Sequence, residues 1–234
     1  MIKIENFEVM GWEHAIRGMR NPMNSWDRMD SRLCVAEDSD VCDGCASFRK
    51  NDGAISFCTQ PLILGPNDLD LMKRLVKGGP VHAKFRRMIT VYVDLTAPLY
   101  WWKEFDTYKV GTVANSCSTM HKIAAKEFTL DDFSHERLVI ATQAVLENVI
   151  ECLNTYRNIY NAAKDPGYKE NCFHQMIQLL PSSYNQKRTV MLNYEVLANM
   201  YEWRKNHKLH EWRELCKWIE TLPYSEIITG KEKE

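Results

Sequence analysis

The chain has 234 residues, 45% of them hydrophobic, which is enough to bury a sizeable core in one domain. With 30 Lys and Arg against 31 Asp and Glu, the formal net charge of -1 excludes the broadly basic surface that wraps nucleic acid. No apolar run approaches membrane-spanning length, and the start Met1-Ile2-Lys3-Ile4-Glu5 lacks the apolar stretch of a signal peptide. A cytoplasmic protein with no membrane or nucleic-acid partner is expected.

Residues 1–9 alternate as a strand does, and a helix follows over residues 12–19. A cysteine-rich stretch at about 30–60 then interrupts the pattern. Cys34, Cys42, Cys45 and Cys58 have the spacing C-x7-C-x2-C-x12-C, and Cys42-Asp43-Gly44-Cys45 is spaced as in a zinc knuckle. Structural zinc, redox chemistry and no shared role are the three readings. Cys152 and Cys216 sit on apolar helical stripes, while Cys117 and Cys172 stand alone and read as small buried hydrophobes.

Gly65-Pro66-Asn67-Asp68 forms a turn and cap for a helix carrying Leu69, Met72, Leu75 and Val76, and Gly78-Gly79-Pro80 stops it. The β-branched and aromatic run at 89–95 predicts a strand. Pro98 suits the first turn of a further helix, on which Trp102, Phe105 and Lys109 share a face. Asp131 or Asp132 would cap a long helix with the stripe Leu138, Ala141, Val145, Val149, Cys152, Tyr156 and Ile159, ending by Asp165-Pro166-Gly167. Such a seam packs against other helices, and in a homo-oligomer it suits an interface.

A last helix is expected to run through residues 188–204, because Leu192, Val196, Met200 and Trp203 recur at i, i+4, i+8 and i+11. Asn193 and Arg204 flank that stripe and return almost into line, roughly 16 Å apart at 1.5 Å per residue. A dinucleotide would span that distance. His207 and His210 beside Glu211 form a conceivable metal corner without an indicated third ligand. The P-loop, Gly-x-Gly-x-x-Gly, His-Glu-x-x-His and Gly-x-Ser-x-Gly motifs are all absent.

Leu180-Pro181, Tyr184, Asn193, Asn199, Arg204 and Glu211-Trp212-Arg213 resemble the C-terminal signature of the flavin-dependent thymidylate synthases. In that family a Leu-Pro precedes a helix bearing two flavin-contacting asparagines and an active-site arginine. Pro80-Val81-His82-Ala83-Lys84-Phe85 resembles a second block of the family, Pro-Phe-Glu-His-x-x-Phe, and the likeness runs roughly from residue 62 to 225. The hallmark Arg-His-Arg-x-x-Ser-x-Asn-Glu-x-Ser-x-Arg-Tyr is not kept. Thr107-Tyr108-Lys109 stands where Arg-His-Arg belongs, Thr112 at its first serine, and Cys117 or Ser118 at its second, depending on one inserted residue. Ile177 replaces an arginine before the Leu-Pro.

The resemblance implies an α+β fold, a mixed sheet packed with several long helices, over residues 1–234, with the Cys-rich segment as an insertion. It implies FAD held by His82, Asn193, Asn199 and Arg204, and a nucleotide met by Lys109, Thr112 and Ser118. It further implies a homotetramer making dTMP from dUMP with methylenetetrahydrofolate and NADPH, the flavin carrying the hydride without a side-chain nucleophile. Loss of the arginines, whose planar forks suit phosphate, also leaves open another pyrimidine nucleotide as substrate. A non-enzymatic, zinc-stabilised binding protein is the remaining alternative, with Cys34, Cys42, Cys45 and Cys58 as ligands.

Overall fold

The computed structural model describes residues 1–33 and 62–231. The four clustered cysteines, and with them the zinc expectation, lie outside the described residues. The chain opens with β1 (Lys3–Met10) and α1 (Trp12–Arg20), close to the expected bounds. Two short strands, β2 (Arg32–Leu33) and β3 (Leu62–Ile63), pair antiparallel with Arg32 opposite Ile63 and Leu33 opposite Leu62. Residues 33 and 62 therefore lie side by side.

Next come α2 (Pro66–Lys77), a 3-10 stretch (Ala83–Met88) and β4 (Thr90–Pro98). In β4 the side chains of Val91, Val93, Leu95 and Ala97 are buried at every second position, the period of a pleated strand. Helix α3 (Leu99–Phe105) and strand β5 (Val113–Ser116) follow. Lys109 was expected to share a helical face with Trp102 and Phe105. It lies past the end of α3 and is exposed, because the helix stops at Phe105.

The remaining elements are α4 (Thr119–Lys122), α5 (Ile140–Ala162), α6 (Pro166–Leu179), β6 (Asn185–Asn193), α7 (Tyr194–Arg204), α8 (His210–Glu220) and α9 (Glu226–Thr229). The principal sheet has the strand order β1-β4-β6-β5. This is the mixed helix-and-sheet class that was expected. The single helix predicted over 188–204 is in fact strand β6 joined to α7 at Asn193. Leu192, Val196 and Met200 are all buried as the periodicity required, but Val190 and Leu192 are buried on strand spacing, and Trp203 is 74% exposed. Accordingly Leu180-Pro181 precedes a strand, not a helix.

The described residues form two compact units. The first comprises Met1–Lys3, Leu95–Thr107 and Ala114–Thr189. Its core gathers Ile123, Phe128, Phe133, Leu146, Ile150, Leu153 and Met176, with α5 packed on α6. The buried stripe of α5 is thus offset from the predicted one, and Val145 on the predicted stripe is 62% exposed. Asp132 caps a 3-10 turn through a reciprocal box with Thr129, while Asp165 caps α6 by accepting from the Tyr168 amide at 2.7 Å. Asn154 closes a loop against α5 by accepting from the Phe128 amide and donating to its carbonyl, both at 2.8 Å.

Among the described residues the second unit comprises 4–33, 62–94, 108–113 and 190–231. Here α7 packs on α8, on α9 and on the 3-10 stretch, which also receives α1. Trp12 meets Tyr194 edge-on with ring centres 5.4 Å apart, and the Tyr194 hydroxyl donates to the Pro223 carbonyl at 2.7 Å. Cys216 on α8 is buried, as its place on an apolar stripe implied, and burial pushes its thiol pKa up to about 12. In the first unit Cys172 is likewise buried, whereas Cys117, expected to be buried, is exposed.

The second unit also holds a buried ion pair. Arg20 donates through Nε and lies within reach through Nη2 of Asp68 Oδ1, both at 2.7 Å, with side-chain exposures of 4% and 0%. Asp68 Oδ2 accepts from the Asp30 and Ser31 amides and from the Ser31 hydroxyl. Asp30 returns the favour, its carboxylate accepting from the Asn67 and Asp68 amides at 2.8 and 3.0 Å, so that a distant side chain caps α2. Burial pushes the Asp68 pKa up, but the hydrogen bonds from Ser31, Arg20 and the two amides outweigh it and hold the value below the ordinary 3.8.

Because the folded-state pKa is depressed, this carboxylate stabilises the fold fully above its ordinary 3.8 and loses that contribution as pH falls through the folded value. Asp68→Asn is expected to lower unfolding free energy by about 3–5 kcal/mol at pH 7, since it strands a buried guanidinium. Urea midpoints of the two proteins should differ by a constant amount from pH 7 to pH ~5 and converge in more acidic buffer. A gap independent of pH would assign the cost to packing.

Candidate ligand-binding site

The second unit contains a cavity of about 660 Å³, within the roughly 300–1,000 Å³ typical of small-molecule sites. One side of α7 forms much of its wall. Glu195, Ala198 and Glu202 make one row at i, i+3, i+7, and Val196, Asn199 and Trp203 make the next. Asn193 stands at the head of these rows.

Asn193 is held by its own geometry. Its backbone is extended, φ -134 and ψ 170, and its side-chain oxygen accepts from the Val196 amide at 3.0 Å as the helix cap. The Tyr194 amide donates to the Ile89 carbonyl at 3.1 Å. Gly111 packs against this corner with φ +79, and a β-carbon there would sit 3.0 Å from Asn193 Nδ2 and 3.2 Å from Val196 Cγ2.

The charged part of the wall comes from the 3-10 stretch. Arg86 is nearly buried, donates to Glu195 Oε2 at 3.1 Å and to the Ile227 carbonyl at 3.3 Å, and is committed to the fold. Burial lowers its pKa, with Glu195 acting in the opposite direction. Arg87 approaches the same carboxylate at 3.8 Å but keeps 60% of its side chain exposed, so its guanidinium faces solvent. A ligand phosphate could recruit it.

The structure brings together some of the residues that the sequence singled out. Asn193 and Asn199 both line the cavity, the first as a cap and the second exposed. His82 and Arg204 belong to the same unit but are not among the lining residues. His82 is an exposed N-cap of the 3-10 stretch beside Gly78. The Arg204 guanidinium lies over Trp212 at 4.8 Å and donates through Nε to the Tyr108 hydroxyl at 2.9 Å.

Among the expected nucleotide contacts, Lys109 is exposed, and the Thr112 hydroxyl is buried without a hydrogen-bond partner among the described residues. Ser118 belongs to the first unit, where its hydroxyl accepts from the His121 amide at 3.2 Å and caps α4. Arg188 lies in that unit too. It pairs with Asp106 at 2.7 Å and sits over Trp102 at 4.1 Å. Sequence reasoning missed Arg87, Glu195, Glu202 and Trp203 as lining residues; the Arg86-Arg87 pair directly after Phe85 was the available signal. Among the described residues no group of three or more His, Cys, Asp or Glu is placed to hold a metal, and no helix is long and apolar enough to cross a membrane.

No family model and no curated protein sequence matches the chain. Solved structures do match. A crystal structure of thymidylate synthase X (ThyX) from Helicobacter pylori with FAD and dUMP superposes with a TM-score of 0.59 at 14% identity, covering 98% of this chain and 97% of that one. A second structure of the flavin-dependent thymidylate synthase ThyX from the same organism, complexed with FAD and dUMP, gives 0.58 at 14% identity and covers 99% of each chain. The fold is that of the flavin-dependent thymidylate synthases.

Within this flavin-dependent thymidylate synthase fold, the positions that depart from the family pattern have settled structural roles. Tyr108, at the centre of the missing Arg-His-Arg, accepts from Arg204 and has its ring 5.8 Å from that of Trp212. Ile177, in place of an arginine, packs half-buried against the core of the first unit. For a flavin nucleotide the cavity fits at Asn193, Asn199 and Arg87 by volume and by donor chemistry. It does not fit at Arg204, whose guanidinium is engaged by two aromatic side chains.

Asn193→Ala is expected to lower stability by about 0.5–2 kcal/mol through loss of the cap. Gly111→Ala should cost about 1–3 kcal/mol through strain at positive φ and crowding of the same amide. Asn199→Ala, on the exposed side of α7, should leave the unfolding free energy within about 0.5 kcal/mol of the parent. Chemical denaturation of the three variants checks the order.

Proposed function

We propose that the chain is a flavin-dependent enzyme acting on a pyrimidine nucleotide, with reductive methylation of dUMP to dTMP as its reaction. The observation that carries this reading is a cavity lined by Asn193 and Asn199, the two amides of the family-like signature, in a chain that takes the fold of FAD- and dUMP-bound structures over nearly its whole length. The rest of the reading follows the resemblance. Methylenetetrahydrofolate is the carbon donor, NADPH the reductant, and the assembly a cytoplasmic homotetramer.

When bound, FAD supplies the hydride chemistry, and the protein orients and neutralises. Asn199 offers an exposed carboxamide with both donor and acceptor groups, suited to the edge of a heteroaromatic ring or a ribose hydroxyl. Arg87 offers two or more N–H groups to phosphate oxygens in the geometry that a lysine cannot supply. Asn193 is a positioning residue, since its oxygen is spent on the cap and its amide nitrogen is turned to the cavity corner at Gly111.

A second reading keeps the flavin and changes the acceptor to another pyrimidine nucleotide. Thr107 and Ile177 favour it, because each stands where the family pattern has an arginine and neither carries a charge to meet phosphate.

Freshly purified protein is expected to show oxidised isoalloxazine absorption or to acquire it on adding FAD. With NADPH and methylenetetrahydrofolate, tritium should leave C5 of labelled dUMP. Arg87→Ala should weaken nucleotide binding about ten- to hundredfold, the equivalent of one charge-assisted hydrogen bond. Bound flavin without tritium release points to the second acceptor, and a protein that never takes up FAD ends the proposal.

A further inference from the structure

Trp203 occupies the last turn of α7 with 74% of its surface exposed, yet it lines the cavity. The neighbouring face of the helix buries Tyr194, Leu197, Met200 and Tyr201, so an indole at position 203 adds nothing to that core. A large aromatic ring left at a cavity mouth is a surface waiting for an apolar or planar partner. Val110, 91% exposed, lines the same cavity and extends its apolar part.

The cavity wall is graded in chemistry. Arg87 approaches Glu195 at 3.8 Å, which places the cation at the N-terminal turn of α7. Asn199 stands midway and Trp203 at the far end, on the i, i+3, i+7 row that begins with Val196. Val196 and Trp203 are separated by roughly 10 Å along the axis at 1.5 Å per residue. Glu202, adjacent to the indole, has its carboxylate paired with Lys205 at 2.9 Å. A cation, an amide and a flat ring in that order match phosphate, sugar and heteroaromatic ring of a nucleotide.

We infer that Trp203 is the stacking platform for the ring of a nucleotide ligand whose phosphate end is directed to Arg87. The inference rests on the proposed function and names the residue that selects the ring. Stacking on an aromatic face tolerates any planar heterocycle, so the isoalloxazine of FAD and the uracil of dUMP are both candidates. The face of Trp203, not a set of hydrogen bonds, then reads the ring.

The test is calorimetric titration of FAD and, separately, dUMP into the parent, Trp203→Ala, Trp203→Phe and Asn199→Ala. Trp203 is exposed, so its variants should melt with the parent. Trp203→Ala is expected to weaken one of the two ligands about ten- to hundredfold, with Trp203→Phe recovering most of the loss. That same ligand should quench tryptophan emission more strongly in the parent than in Trp203→Phe, which keeps the six other tryptophans. The ligand affected identifies the ring.

Unchanged affinities for both ligands in Trp203→Ala, in a parent that binds either, overturn the stacking role and leave the proposed function standing. An altered sedimentation coefficient with those affinities unchanged overturns it as well, by assigning the indole to a contact between copies. A parent that binds neither ligand removes both the stacking role and the function on which it rests.

Discussion

Asn193 is where an extended strand must become a helix within a single residue. Its carboxamide oxygen takes the Val196 amide, and the following Tyr194 amide is drawn to the Ile89 carbonyl. Those two bonds set the direction in which α7 leaves the strand and hence the side on which Asn199 and Trp203 emerge. Gly111 is part of the same constraint, because any β-carbon there would press on the capping amide. Cavity shape and helix start are therefore one problem with one solution. The same atom cannot serve fully as cap and as ligand contact, so under the proposed function ligand recognition falls to the exposed neighbours along the row.

Stability and recognition are separated within the second unit. Arg20 and Asp68 form a buried pair whose remaining hydrogen-bond capacity is met by Asp30 and Ser31, and Arg86 is neutralised by Glu195 and a backbone carbonyl. A buried charge so completely satisfied contributes to the uniqueness of the fold but has nothing left to offer a ligand. Arg87, one residue on, is mostly in solvent. Alternation between a committed and an available guanidinium in adjacent residues follows from their pointing to different sides of a tight 3-10 turn.

The departures from the family pattern have the same character. Tyr108 accepts from Arg204 and packs with Trp212, while Ile177 joins an apolar cluster. Each of the two side chains is engaged by its neighbours. The cavity retains amides, one available arginine and an exposed indole, a set suited to a planar nucleotide recognised more by stacking and charge than by a cage of arginines.

Much of this architecture was legible in the sequence. The alternation in β4, the bounds of α1, the capped start of α2 at Gly65-Pro66 and its stop at Gly78-Gly79-Pro80 are local signals that depend on a few consecutive residues. Asn193 and Asn199 were likewise visible as a spaced pair, and both line the cavity. The strand-to-helix break at Asn193 was not, because Leu192, Val196 and Met200 satisfy a helical period even though the first belongs to a strand buried at every second residue. Pairing in a sheet supplies hydrogen bonds that no window of sequence contains. For the same reason Arg204 could be read as a ligand contact, while Tyr108 and Trp212, which engage it, are distant or lie on another element. The sequence by itself determined which segments fold and which amides could meet a ligand, since propensity, capping and periodicity are local. Tertiary structure alone decided which charges remain available and that Trp203 faces the cavity and not the core, since burial and ion pairing are settled by neighbours far apart in the chain.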